Sequence, residues 1–119
     1  MAKITLYHNP KCSKSCETLA LIRHAGFEPD IINYLESPLS RAELQALAEH
    51  LQQSIRSLMR VSDALYAELN LAHADCTDTQ RLDALLAHPQ LFNRPIAESA
   101  LGARICRPPE MVLEILPEK

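Results

Sequence analysis

A thiol between two lysines is the most chemically loaded feature of this chain. The stretch His8-Asn9-Pro10-Lys11-Cys12-Ser13-Lys14-Ser15-Cys16 carries one cysteine in a proline-containing turn and a second four residues later. A short apolar run, Ile4-Thr5-Leu6-Tyr7, precedes it and alternates like a first strand. Residues 17–25 follow, with Leu19 and Ile22 three apart and Leu21 and Ala25 four apart, which is helical spacing. Cys12 therefore stands where a strand hands over to a helix. Unpaired backbone N–H groups and aligned peptide dipoles at that point favour an anion, either a thiolate or a bound oxyanion. An unperturbed thiol of pKa about 8.5 is only about 3% thiolate at pH 7, and helix N-termini and cationic neighbours lower that pKa by several units. His8, Lys11 and Lys14 supply positive charge or hydrogen-bond donors on either side. Cys12 is thus the candidate nucleophile; a packing cysteine is the competing reading, but such residues rarely lie between lysines in a turn.

The neighbours admit two readings each. His8 either raises thiolate character or bonds the loop backbone, and a capping or packing histidine fits the same residue. Ser15 either donates its hydroxyl to the thiolate or oxyanion, or is an ordinary first-turn serine. Cys16 is either an inert, partly buried thiol or a resolving or redox-sensing one. In a regular helix residues four apart hold their Cβ atoms about 5–6 Å from each other. A disulfide wants about 3.5–4.5 Å, so a Cys12–Cys16 bond requires the loop end to move. Arginine keeps its charge and offers a planar fork of donors, which suits a tetrahedral oxyanion. Arg94 and Arg107 each immediately precede a proline, and the X-Pro unit is a rigid extended backbone suited to aiming a side chain. Arg60 by itself reads as the polar face of a short helix, with Arg56 one turn earlier.

The elements that must position these residues follow in order. Gly26 is a plausible C′ glycine for a helix over about 13–25. Ile31-Ile32-Asn33-Tyr34-Leu35 reads as a second strand, led in by Pro29 and Asp30. Strand, helix and strand of this length form a βαβ unit with parallel strands. Ser40-Arg41-Ala42-Glu43 has the form of a capping box, and Leu44, Leu47, Ala48 and Leu51 follow at i, i+3, i+4 and i+7. Short helices are expected over 55–60, over 64–69 with Asp63 as cap, and after Thr77 or Asp78, where Leu82, Leu85 and Leu86 share a face. His88-Pro89 ends that block. Pro95-Ile96-Ala97-Glu98 and Ala103-Arg104-Ile105-Cys106 read as two strands of a hairpin turning at Gly102. Pro108-Pro109 opens a last helix with Val112, Ile115 and Leu116 as its apolar stripe. The order is βαβ, a block of helices, then ββα: an α/β chain of the thioredoxin arrangement, with a mixed four-stranded sheet and a helical insertion at about 40–90.

Composition bounds what such a chain does. Its 119 residues suit one domain spanning 1–119, and 47% hydrophobic content with only two glycines suits an ordered, helix-rich protein. A net charge of −3 gives no global attraction to nucleic acid or an anionic membrane, so anion recognition must come from local basic residues. No apolar run approaches a membrane span and no signal-peptide pattern opens the chain. Cys12, Cys16, Cys76 and Cys106 show no zinc-finger spacing and no dense disulfide framework, so they read as thiols of a reducing cytoplasm. Cys106, between Ile105 and Arg107, reads as strand packing, and Cys76 in an acidic stretch receives no role. His24, His50, His73 and His88 share no metal-ligand spacing.

Several segments together resemble one family: ITLYHNPKC, INYLESP, SIRSLMR, HPQLFNRPI and ARICRPPEMVLEIL, in that order. Nearly end to end the chain is similar to the glutaredoxin-dependent arsenate reductases of the thioredoxin-like fold. The resemblance implies that Cys12 forms a covalent adduct with arsenate and that His8 belongs to the same motif. It implies that Arg60, Arg94 and Arg107 hold the oxyanion and that Pro95 is a cis-proline facing the site. It also implies glutathione as co-substrate and glutaredoxin as partner, with no tightly bound cofactor, no metal and no nucleic acid. One departure stands out. The family's motif is His-x3-Cys-x3-Arg, and here the last position is Cys16, so a cationic donor is replaced by a second thiol. Two other classes share the pattern: a glutathione-dependent thiol oxidoreductase of the same fold, and a non-enzymatic redox-sensing regulator that binds RNA polymerase. The regulator class pairs its thiols as CxxC, whereas this chain has CxxxC and keeps all three arginines.

Overall fold

The structure is a computed structural model and describes residues 3–60, 63–71, 73, 75–93 and 95–117. The chain divides into two compact units, one made of Met1–Ser37 and Arg94–Lys119, the other of Pro38–Asn93.

The first unit is built on a four-stranded mixed sheet. β1 (Thr5–His8) pairs in parallel with β2 (Asp30–Asn33) and antiparallel with β3 (Ile96–Ser99), which pairs antiparallel with β4 (Gly102–Ile105). The spatial order is β2-β1-β3-β4, so β1, which runs into the Cys12 turn, is a central strand. This is the thioredoxin-like βαβ…ββα arrangement. α1 (Ser13–His24) crosses between β1 and β2, as the parallel pairing requires. Its end is closed twice: Gly26 N–H donates to the Arg23 carbonyl at 2.9 Å and Phe27 N–H to the Ile22 carbonyl at 3.2 Å. Gly26 adopts φ 94°, the left-handed conformation this closure needs. Ile4, Leu6, Ile22, Ala97, Cys106, Val112 and Ile115 form the core of the unit, with Leu19, Leu21, Phe27 and Leu116 packed around it.

The segment expected as a closing α-helix is instead a 3-10 helix, Pro109–Ile115. The buried residues explain the difference. Pro109, Val112 and Ile115 are the ones that face inward, and they recur every three residues, which three residues per turn keeps on one line. The segment packs on α1 and β4. A cis peptide bond joins Arg107 to Pro108 just before it. The bond preceding Pro95 involves Arg94 and lies outside the described residues, so the expected cis-proline is not placed.

The second unit is helical. α2 (Arg41–Leu51) starts with the full capping box: Ser40 Oγ accepts from Glu43 N–H at 3.1 Å, and Glu43 Oε1 accepts from Ser40 N–H at 2.9 Å. Leu44, Leu47, Ala48 and Leu51 are its buried face. A 3-10 turn, Ile55–Leu58, follows where a short helix over 55–60 is expected; Ile55 and Leu58, three apart, are its buried residues. α3 (Ala64–Glu68) is capped by Asp63, and α4 (Asp78–Ala87) by a Thr77–Gln80 capping box. Leu82 and Leu85 are buried, whereas Leu86, expected on the same face, is exposed. An antiparallel bridge, Met59 to Phe92, ties the segment after the 3-10 turn to the C-terminal end of the unit, reinforced by Arg60 N–H to the Leu91 carbonyl at 2.7 Å. Among the described residues no helix is long and apolar enough to cross a membrane.

Candidate active site

The turn between β1 and α1 is fastened by one asparagine. The Asn9 carbonyl accepts Cys12 N–H at 3.0 Å, closing a four-residue turn with Pro10 in its second position. Asn9 Oδ1 accepts Lys11 N–H at 2.9 Å, and Asn9 N–H donates to Ser15 Oγ at 3.1 Å. The backbone N–H, the backbone carbonyl and the side-chain oxygen of this residue thus all shape the loop that carries the thiol. Asn9 is a site residue that chemistry-bearing residue types do not flag. Its legible signal is the Asn-Pro dipeptide, which favours turn initiation.

Cys12 is the N-cap of α1, with φ −98° and ψ 121°, and is partly open to solvent. Its carbonyl accepts the first helical hydrogen bond, from Cys16 N–H at 3.0 Å. The next N–H groups, at the start of the helix, have no carbonyl a turn earlier to bond and point toward the thiol's end of the helix. That is the geometry the spacing of the motif predicts.

His8 is the last residue of β1 and is buried, with Nδ1 2.5 Å from Ser15 Oγ. Ser15 is wholly inaccessible. Its hydroxyl has one proton and two lone pairs, and one lone pair takes Asn9 N–H. Either the proton goes to a bare His8 Nδ1, or the second lone pair takes Nδ1–H. Burial lowers the His8 pKa below its usual value, and the charge of Arg23 adds to the effect. The imidazolium is therefore disfavoured, and His8 acts here as a hydrogen-bonding anchor rather than as a fixed positive charge. Ser15 is not an exposed first-turn serine; it is the pin between strand and helix.

Cys16 departs from the expectation of a partly buried residue. It is exposed, because its position on the first turn of α1 faces away from the core that holds Ser15, Thr18 and Ile22. Its Sγ donates to the Pro10 carbonyl at 3.4 Å. Cys106 is fully buried in the core, and desolvation pushes its thiol up to about 12, against smaller opposing effects from the Ala97 backbone and Arg104. It packs rather than reacts, as expected, although it lies one residue past the end of β4 and not within the strand. Cys76 lies in the helical unit.

Of the expected cations, Lys14 pairs with Glu17 at 3.7 Å, and Lys11 is exposed. Arg107 follows β4 in the same unit as Cys12; it is exposed and its guanidinium has no partner among the described residues. Arg60 belongs to the helical unit. Its Nη1 lies 3.7 Å from Asp63 Oδ2, while its Nε is buried with no hydrogen-bond partner among the described residues. Arg56 is exposed. Arg94 lies outside the described residues. The structure thus brings His8, Cys12, Ser15 and Cys16 together and describes Arg60 within its own unit. Among the described residues no group of three His, Cys, Asp or Glu side chains is arranged to hold a metal.

Comparison with known proteins gives a consistent family. The model of the ArsC family matches residues 7–115. The chain is 50% identical over 118 residues to an arsenate reductase of Escherichia coli (strain K12), covering 99% of this chain and 84% of that protein. It is 47% identical over 115 residues to an arsenate reductase of Rhizobium meliloti (strain 1021), covering 97% and 82%. A solved arsenate reductase from Vibrio cholerae has a similar structure, with a TM-score of 0.92 at 46% identity over 96% of this chain and 98% of that one.

Proposed function

Because this chain belongs to the ArsC family, we propose that it reduces arsenate to arsenite through a covalent adduct on Cys12. The observation that carries the reading is Cys12 itself: a partly exposed thiol at the N-cap of α1, in a turn fixed by Asn9 and pinned by the His8–Ser15 contact. The names of the relatives support the same substrate.

The chemistry follows from that placement. Arsenate resembles phosphate, a tetrahedral oxyanion of about −1.5 charge near neutral pH. The Cys12 thiolate attacks arsenic, an As–S bond forms, and one As–O bond breaks with its oxygen leaving as water. The N–H groups of the first turn of α1 stabilise the oxyanion through the same fields that favour the thiolate. Arg60, Arg94 and Arg107 take the remaining charge in this reading, on the strength of their donor chemistry and the family resemblance. Among the described residues Arg107 has no partner for its guanidinium, and Arg60, whose Nη1 lies 3.7 Å from Asp63 Oδ2, has none for its Nε.

Glutathione then replaces a second arsenic oxygen, which leaves as water. A glutaredoxin thiolate attacks the arsenic-bound glutathione sulfur, and the electron pair of that As–S bond stays on arsenic. Hydrolysis of the Cys12–As bond releases arsenite and the thiol, leaving a glutaredoxin–glutathione disulfide for glutathione to reduce. No tightly bound cofactor enters this scheme. A reducing compartment, the cytoplasm, follows from the need to keep these thiols reduced. The test is arsenate-dependent NADPH consumption with glutathione, glutaredoxin and glutathione reductase, beside the Cys12→Ser protein. Turnover that vanishes in Cys12→Ser is the expected result. Folded wild-type protein that consumes no NADPH would remove the proposal.

A further inference from the structure

Two thiols stand at the start of α1, and the mechanism above uses only one. Cys16 sits on the exposed side of the first turn, four residues after Cys12, and its N–H is bonded to the Cys12 carbonyl. Helical side chains lean toward the N-terminus of their helix, and Cys16 does so: its Sγ rests on the carbonyl of Pro10, inside the turn that ends at Cys12. Its sulfur is directed back over the reactive loop and not out along the helix.

We propose that Cys16 is the resolving thiol, which attacks the Cys12 adduct and releases arsenite by forming a Cys12–Cys16 disulfide. The inference rests on the arsenate-reductase reading and deepens it by naming an internal thiol that takes the place of glutathione in the step after the Cys12 adduct. In the first step the Cys12 thiolate bonds to arsenic and an arsenate oxygen leaves as water. In the second, the Cys16 thiolate attacks Cys12 Sγ. The S–S bond forms, the As–S bond breaks, and its electron pair stays on arsenic, which departs as arsenite. Two thiols lose two electrons and arsenic gains them. An external thiol reductant, a dithiol or two glutathione molecules, then opens the disulfide for the next cycle.

The geometry asks for movement at one end only. Regular helical spacing leaves Cβ atoms at i and i+4 about 5–6 Å apart, wider than the 3.5–4.5 Å of a disulfide. Cys16 is held in the helix, whereas Cys12 is the N-cap, with extended φ and ψ. Movement of Cys12 deforms the loop and involves only the first helical hydrogen bond, from Cys16 N–H to the Cys12 carbonyl. Such a bond closes a small ring beside a helix end, is readily reduced, and so suits a catalytic rather than a structural disulfide.

The decisive experiment is a single turnover of the full chain with arsenate and no added thiol, followed by alkylation with N-ethylmaleimide and mass analysis. Wild type should release close to one arsenite per chain and lose two alkylatable thiols. Cleavage after Lys14 should then leave the fragment carrying Cys12 linked to the fragment carrying Cys16. Cys16→Ser should release less than a tenth as much arsenite, while Cys76→Ser releases as much as wild type. Diamide treatment reads the pairing without arsenate, and should give the same linked fragments. Equal arsenite from wild type and Cys16→Ser, or release of the first arsenite that in both requires added glutathione, would overturn the inference and leave arsenate reduction standing. No arsenite with any thiol would remove both.

Discussion

His8 Nδ1 lies 2.5 Å from Ser15 Oγ, joining the last residue of β1 to the first turn of α1 across the loop that carries Cys12. Both partners are buried, and the same hydroxyl takes the N–H of Asn9. The reactive loop is therefore fixed from beneath, by groups that do not themselves face solvent. Catalytic thiols act only when their position relative to the bound substrate is narrowly set, and this contact sets it.

Ser15→Ala should expose how much the pin matters. The substitution removes the hydroxyl and leaves Asn9 N–H and His8 Nδ1 without that partner in a place water does not reach. Unpaired buried groups of this kind cost about 1–3 kcal/mol. Urea unfolding should show a loss in that range. A change below about 0.5 kcal/mol, the scale of ordinary surface substitutions, would mean that the hydroxyl does not hold the loop.

The lowered pKa of His8 gives a pH dependence with a definite sign. Burial is the main cause and Arg23 the lesser one, so the unfolded chain binds the His8 proton more readily than the folded one. Stability from this group is fully present above the unfolded value of about 6.5. It declines as pH falls from there through the folded pKa. Unfolding free energies measured by urea from pH 7.5 to 5 should fall more steeply for wild type than for His8→Asn. An identical slope in the two proteins would show that His8 carries no such linkage.

Much of this site is legible in the residues because local rules govern it. The strand-to-helix position of Cys12 follows from alternation giving way to a 3.6-residue period, and the capping boxes at Ser40 and Thr77 follow from residue type at fixed spacing. The features that escape the sequence are those decided by tertiary burial. Cys16 is exposed and Ser15 wholly buried, although they are neighbours on the same turn, because only the side of α1 that meets the sheet excludes water. His8 reads in sequence as a possible positive charge, and burial disfavours that form. Pro109–Ile115 reads as an α-helix, and its three-residue burial period makes it 3-10. Asn9 escapes because its role is entirely hydrogen bonding within the turn.

Cys106 should behave as an inert thiol. It lies in the core beside Ile4, Leu6 and Ile22, and desolvation pushes its pKa up to about 12. At pH 8 that leaves about one thiolate in ten thousand. In the native protein N-ethylmaleimide should modify Cys12, Cys16 and Cys76, all of which have accessible surface, and leave Cys106 untouched. Addition of denaturant should release the fourth thiol. Modification of Cys106 as fast as Cys76 under native conditions would contradict its placement in the core.

Arg107 offers a test in which function and stability separate. Its side chain is exposed and its guanidinium bonds nothing among the described residues, so the fold asks little of it. Arg107→Ala should change the unfolding free energy by no more than about 0.5 kcal/mol. If the guanidinium holds the oxyanion, the same substitution should reduce kcat/KM for arsenate by about 10²-fold, the scale of a lost charge-stabilising donor. Arg107→Lys keeps the charge without the planar fork and should recover only part of that loss. The coupled NADPH assay reads the activity and urea unfolding reads the stability. Activity unchanged in both variants would remove Arg107 from the oxyanion site, whatever the outcome at Arg60.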